Sequence, residues 1–162
     1  FRGPNGRLEY MGDGVFNIKQ LKSQGGEIIE KKVKNVGMIA GGTGITPMIQ
    51  IIRAVLRNEN DPTKLSLLFA NKEERDIILR DKLENPDRDF SDRFEVHYTL
   101  DKAEDGWSGF TGFIDEEMIR NTMPEPSDDT LILLCGPPKM NSEAVKPALE
   151  SIGYSPDSIF NF

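Results

Sequence analysis

Val36 to Met48 reads V-G-M-I-A-G-G-T-G-I-T-P-M, and the rest of the chain is organised around it. An apolar run (Val36, Met38, Ile39, Ala40) enters a glycine cluster (Gly41, Gly42, Gly44). The cluster opens into an apolar-periodic segment from Pro47. The pattern predicts a strand, a tight turn and a helix start. Glycines let backbone N–H groups approach a ligand with no side chain in the way, and a helix N-terminus behind them favours negative charge. Thr46-Pro47 is a good helix opening, a hydroxyl able to cap free donors followed by a residue with its φ preset and no N–H. Two readings are open: a phosphate or pyrophosphate cradle, or an ordinary glycine-rich turn between strand and helix.

The 162 residues suit one domain with a short appended segment, and 37% hydrophobic with 29% charged residues is ordinary for a globular protein. The net charge of −7 argues against nucleic acid, which needs a basic footprint. No run of 18 apolar residues is present to cross a bilayer. One cysteine (Cys135) excludes an intrachain disulfide, and one histidine (His97) leaves no metal constellation to argue. The chain opens on Phe1-Arg2-Gly3-Pro4 with no initiator methionine, so a piece of a longer protein is expected.

Outward from the opening stretch, strands and helices alternate. Leu8 and Tyr10, the Gly12-Asp13-Gly14 turn and Val15–Ile18 predict a short hairpin. Residues 19–34 are polar and charged around Gly25-Gly26 and read as a connector. After the strand Val36–Ala40 come a helix over Pro47–Arg57, a buried strand Leu65–Ala70, and a helix over Glu73–Glu84. A strand Phe94–Leu100, a glycine-rich loop Asp101 to Phe113 with Trp107, and a short helix over Asp115–Thr122 follow. Then come a buried strand Thr130–Leu134, a turn Cys135–Pro138, a helix Lys139–Ile152 that starts late or kinks at Pro147, and a last strand Ser158–Phe162. This is an α/β chain. It predicts a Rossmann-like parallel sheet of about five strands with helices on both faces, preceded by the hairpin linker (1–34). In such sheets ligands bind beyond the carboxyl ends of the strands.

Four segments meet that edge: Gly41–Pro47, Asn71–Lys72, Asp101 to Phe113, and Cys135–Met140. The usual dinucleotide fingerprint is G-x-G-x-x-G with an acid about 20 residues on. Here Pro47 stands at the place of the third glycine. The second strand ends in Asn71-Lys72, and the first acid at a strand end is Asp101 on the third. An acid beside an adenosine ribose would repel a 2′-phosphate and favour NADH over NADPH. The plainer reading of Asp101 is a loop cap. Cys135, without histidine or second cysteine nearby in sequence, reads as a small buried residue before a turn rather than a nucleophile, and Trp107 reads as packing.

Together G-G-T-G-I-T-P-M (41–48), L-L-F-A-N-K (67–72), Y-T-L-D (98–101), G-F-I (112–114), C-G-P-P-x-M (135–140) and the terminal Phe162 resemble the NADH–cytochrome b5 reductase family. That family belongs to the ferredoxin–NADP reductase-like flavoproteins. The resemblance covers the whole chain but only the family's C-terminal NADH domain (35–162). The N-terminal barrel that binds FAD, with its R-x-Y-[ST] motif, is not matched. By this resemblance, NADH lies along Gly41, Gly42, Thr43, Gly44 and Pro47, with adenosine near Ala70, Asn71, Lys72 and Asp101 and adenine against Phe113. The nicotinamide lies between Thr43 and Cys135, the two residues with catalytic (orienting) roles. Gly136, Pro137 and Met140 complete the cofactor site, and Phe162 lies toward the flavin.

The hydride would pass to FAD, held mainly by the other domain, and single electrons would leave to cytochrome b5 or another haem acceptor. No metal is implied, and a monomer is expected. Location on the cytoplasmic side, at the endoplasmic reticulum or mitochondrial outer membrane, would depend on a segment outside this chain. Two alternatives stay open: the reductase end of nitrate reductase, and a nucleotide-binding module without turnover. Cytochrome b5 is acidic, so docking would need basic residues of the barrel or a patch such as Lys19, Lys22, Lys31, Lys32 and Lys34. Those lysines read more simply as a solvated connector.

Overall fold

The structure is a computed structural model and describes residues 7–20, 25–77, 80 and 93–162. Two sheets share one core. The first is small and antiparallel, in the order β1 (Leu8–Gly12), β2 (Val15–Lys19), β3 (Ile28–Lys32). Gly12, Asp13 and Gly14 turn β1 into β2 with φ of 96°, 50° and 74°, left-handed values that glycine adopts freely. Leu8 and Phe16 are fully buried and belong to the core of the larger sheet.

β3 corrects the expected connector. Gly25 and Gly26, both left-handed, lie in the reversal after β2, and Gln20 N–H bonds Glu27 O at 2.8 Å. The strand then pairs with β2 from Ile28↔Lys19 to Lys32↔Val15. It is an edge strand with exposed isoleucines (Ile28 68%, Ile29 43%) and charged neighbours, so it shows no alternation that marks a buried face.

The second sheet is parallel throughout. Its strands are β4 (Asn35–Gly41), β5 (Lys64–Asn71), β6 (Phe94–Leu100), β7 (Phe110–Thr111), β8 (Thr130–Cys135) and β9 (Ile159–Asn161), in the order β7-β6-β5-β4-β8-β9. It has six strands rather than about five, because the glycine-rich loop contributes the two-residue β7 at one edge. β4 lies at the centre, and its side chains alternate between two cores. Val36, Met38 and Ala40 pack with helix α1 (Ile45–Arg57) on one face. Ile39 packs on the other with α2 (Glu116–Thr122) and α3 (Lys146–Ile152), through Ile119 and Leu149. Helices therefore cover both faces. Buried apolar runs such as Leu131 to Leu134 are what a parallel strand covered on both faces requires.

Two predicted helices differ in form. Of the predicted Glu73–Glu84 helix, the described part is a 3-10 turn, Glu74–Asp76, closed by Glu73 N–H to Asp76 Oδ2 at 3.1 Å, then an extended Ile77, and Arg80, which is helical as predicted. Residues 78, 79 and 81–84 of that prediction lie outside the described residues. The late start predicted around Pro147 takes the form of a π turn, Met140–Val145, running into α3 with Pro147 in its first turn. Because the helical run is continuous there, the missing N–H and the ring of Pro147 are accommodated by the wider π spacing just before it. Asp115 starts α2 as predicted, accepting from Met118 N–H at 2.9 Å.

Candidate nucleotide-binding crevice

The strand order reverses between β4 and β8, and in open parallel sheets that reversal opens a crevice at the carboxyl ends. Both glycine turns of the sequence end there. β4 stops at Gly41, Gly42–Gly44 form one 3-10 turn, and α1 follows directly. The helix therefore begins at Ile45, two residues before the predicted Pro47. Gly44 occupies the cap position, no side chain caps the helix, and Thr46 is exposed. Pro47 is buried inside the first turn, where its missing N–H leaves nothing unpaired. No acid occupies that first turn, so the positive end of a 13-residue helix faces the crevice without a competing carboxylate.

The glycines differ in what they permit. A Cβ on Gly44 would lie 2.1 Å from the carbonyl oxygen of Cys135, so this residue lets the two turns touch backbone to backbone. A Cβ on Gly136 would lie 3.1 Å from Gly41 N and 2.6 Å from Met140 Cε, and one on Gly41 would meet Met140 Sδ and Pro137 Cδ. Gly42 has φ +54° and nothing within 4 Å of its Cβ position, so it borders open space. Thr43 is exposed on the crest between Gly42 and Gly44. Cys135 is half-buried, in register with Ala40, with its carbonyl against Gly44. Burial pushes the Cys135 thiol above its ordinary value, so it is a neutral S–H near pH 7.

A second cluster lies at the carboxyl ends of β5 and β6. Ala70 is in register with Gly41 on one side and Thr99 on the other. Asp101 N–H bonds Asn71 O at 3.1 Å, and Lys102 N–H bonds Lys72 O at 2.8 Å, which ties the two strand ends together. Lys72 and Asp101 have exposed side chains. Asn71 is only 8% exposed, and its buried Nδ2 has no hydrogen-bond acceptor among the described residues. Gly112 N–H bonds Leu100 O at 2.8 Å, and beyond it Phe113 is 81% exposed, an apolar ring face held open at the sheet edge. The structure thus brings the sequence-predicted residues to one edge in two adjoining groups. Trp107 packs instead, with its ring edge-on to Tyr98 at 6.3 Å and Nε1–H bonded to Phe110 O at 2.9 Å.

Phe162 is anchored at the same edge. Its N–H bonds Leu134 O at 2.9 Å, one residue before Cys135, and its ring meets Phe160 edge-on at 5.0 Å. It also borders a groove of about 850 Å³ between the small sheet and β9. Asn141 escaped the sequence reading. It is buried directly after Met140, its Nδ2 donates to Asn161 Oδ1 at 3.3 Å, and its Oδ1 has no partner among the described residues. The available signal was its phase, since Asn141, Val145 and Leu149 fall on one buried stripe. Among the described residues no group of three or more His, Cys, Asp or Glu could hold a metal ion, and no helix is long and apolar enough to cross a membrane.

Residues 38–146 match the family described as "Oxidoreductase NAD-binding domain". The whole chain aligns with NADH-cytochrome b5 reductase 3 of Rattus norvegicus at 52% identity, covering 53% of that protein. It aligns with NADH-cytochrome b5 reductase 1 of Homo sapiens at 48%, covering 52%. Among solved structures, the cytochrome b5 reductase domain of Ulva prolifera nitrate reductase superimposes with a TM-score of 0.87 at 38% identity, over 96% of this chain and 57% of that one. The chain spans about half the length of the curated relatives it matches. It belongs to the NADH–cytochrome b5 reductase family, of which it forms the NAD-binding domain.

Proposed function

We propose that this chain is the NADH-holding half of a flavin-dependent reductase that passes single electrons to a haem protein such as cytochrome b5. One observation carries the reading. The Gly44 turn is pressed against the Cys135 carbonyl at the switch point, while Gly42 and the uncapped start of α1 border open space. A Cβ would fill the close approach, and backbone donors there suit a pyrophosphate. Gly41 to Gly44 would hold it, with Pro47 shaping the helix start.

Ala70, Asn71, Lys72 and Asp101 would line the adenosine, and the orphaned Nδ2 of Asn71 would find an acceptor there. Phe113 would lay its exposed ring on the adenine. Thr43 and Cys135 would flank the nicotinamide, with Gly136, Pro137 and Met140 as the wall and Phe162 on the flavin side. When bound, NADH would supply the hydride, and FAD, held mainly by protein outside this chain, would accept it. The residues here orient the ring and exclude water, and the neutral Cys135 thiol moves no proton. Identities of 48–52% to b5 reductases, against 38% to the nitrate reductase domain, favour a b5-type acceptor over a place in nitrate reductase.

Calorimetric titration of the purified chain tests this. We expect NADH to bind one to one and more tightly than NADPH, in a colourless protein that does not reduce ferricyanide. Absence of NADH binding by the folded chain overturns the reading. Co-purification of flavin with ferricyanide reduction overturns the assignment of FAD to protein outside it.

A further inference from the structure

Asp61 lies outside the nucleotide crevice, in the turn between α1 and β5, yet its side chain is fully buried. Four protein donors converge on its carboxylate. Oδ2 accepts the Tyr10 hydroxyl and, at 3.0 Å, Gly14 N–H, both from the β1–β2 hairpin. Oδ1 accepts the Thr63 hydroxyl and Thr63 N–H, the latter at 2.9 Å, from the lead-in to β5. One oxygen therefore faces each sheet. Arg93 adds a guanidinium contact to the Asp61 main-chain carbonyl. The join is close-packed: a Cβ on Gly14 would lie 2.2 Å from Val33 O and 3.0 Å from Thr63 Oγ1.

A buried carboxylate is stable only with its lone pairs used, and all four donors here come from two structural units. We propose that Asp61 is a latch that sets the small antiparallel sheet on the parallel sheet. The latch has a consequence at a distance. The small sheet presents Ile18, Ile29 and Lys31 to the groove whose other wall is Ile159, Phe160 and Phe162. Its seating therefore sets the groove beside Phe162. Other contacts also cross that groove: Lys31 Nζ donates to Asp157 O at 2.9 Å and to Ser158 Oγ at 3.3 Å, and the Arg7 guanidinium stands 5.0 Å from the Phe160 ring centroid.

Hydrogen exchange on the 162-residue chain tests the latch without reference to nucleotide binding, so its failure leaves the functional reading untouched. In Asp61→Asn the amide nitrogen replaces one acceptor, and the donors of at least one sheet lose their partner. Amides of β1, β2 and Gly14 are expected to exchange about tenfold faster or more, while those of β4 and β5 change less than about threefold. Lys31→Met, which cuts the bonds to Asp157 and Ser158 beside the groove and leaves the Asp61 donors in place, is expected to move neither set beyond about threefold. Unchanged β1 and β2 amides, or a rise shared equally by β4 and β5, would overturn the proposal. If Asp61→Asn does not fold, Tyr10→Phe decides. A local rise in the hairpin supports the latch, and a uniform rise or none refutes it.

Discussion

Gly44→Ala isolates the close approach on which the crevice depends. Gly44 has φ −62° and ψ −8°, values any residue adopts, so alanine meets no backbone strain. The whole cost is steric. The new Cβ would stand 2.1 Å from Cys135 O and 2.6 Å from Cys135 C, and real Cβ contacts essentially never fall under 3.0 Å. One turn must retreat by at least about 0.9 Å, and both atoms are main chain, tied into the β4–β8 ladder at Ala40↔Cys135. Overpacking of this kind costs roughly 1–3 kcal/mol. For a chain of this length that lowers Tm by roughly 2–12 °C.

Gly42→Ala is the contrast. It costs roughly 1–2 kcal/mol for its left-handed φ but meets no atom within 4 Å, so the crevice walls stay in place. The lone thiol reports the difference. Cys135 should react with a thiol reagent about tenfold faster in Gly44→Ala and within about twofold of wild type in Gly42→Ala, since exposure governs access once the pKa is held. NADH affinity should fall in both. A Gly44→Ala protein with unchanged urea midpoint, thiol reactivity and NADH affinity would refute the argument that the two turns must touch.

Asp101→Ala should narrow the preference for NADH over NADPH by about fivefold or more, since a like charge about 4 Å away costs about 1 kcal/mol even in water; an unchanged ratio of binding constants removes Asp101 from the specificity argument. Cys135→Ser should keep NADH affinity within about threefold and retain partial hydride transfer in the complete reductase, because burial keeps the thiol neutral and only ring orientation weakens. Total loss of transfer in a folded variant would assign the sulfur a chemical part. Asp61 gives a signed pH dependence. Burial raises its pKa, but the Thr63 and Tyr10 hydroxyls and the Thr63 and Gly14 amides outweigh that and hold it below the ordinary 3.8. A depressed carboxylate stabilises above its unfolded pKa and ceases to do so as pH falls through the folded one. Urea titrations should therefore show Asp61→Asn less stable than wild type above pH 3.8, with the gap closing below it; a constant gap would mean the charge is not what the four donors hold.

What the sequence made legible follows from how much of each signal is local. β4, β5 and β8 announce themselves because burial on both faces demands unbroken apolar runs, and the glycine turns after β4 and β8 were readable as one edge because topology then places them together. β3 was unreadable because an exposed edge strand has no buried face to pattern, and β7 because two residues carry no period. The helix start at Ile45 contradicts a sound local signal at Thr46-Pro47, because the contact of Gly44 with Cys135, 91 positions along the chain, decides where the turn tightens.

The two aspartates show the same limit within the candidate site and outside it. Asp61 precedes a proline in a turn and carries no local mark of a special role, and Asp101 follows a strand into a loop, where it reads locally as a cap. Asp101 has its side chain in solvent at the carboxyl edge of the sheet, where the specificity role proposed for it would need it. Asp61 is fully enclosed, and its hairpin donors Tyr10 and Gly14 lie 51 and 47 residues away. The cost of burying a charge makes the distinction: a carboxylate removed from water must find its donors within the fold, whatever their distance along the chain. A specificity carboxylate can therefore be proposed from its strand end alone, but a structural one is visible only once the chain is folded.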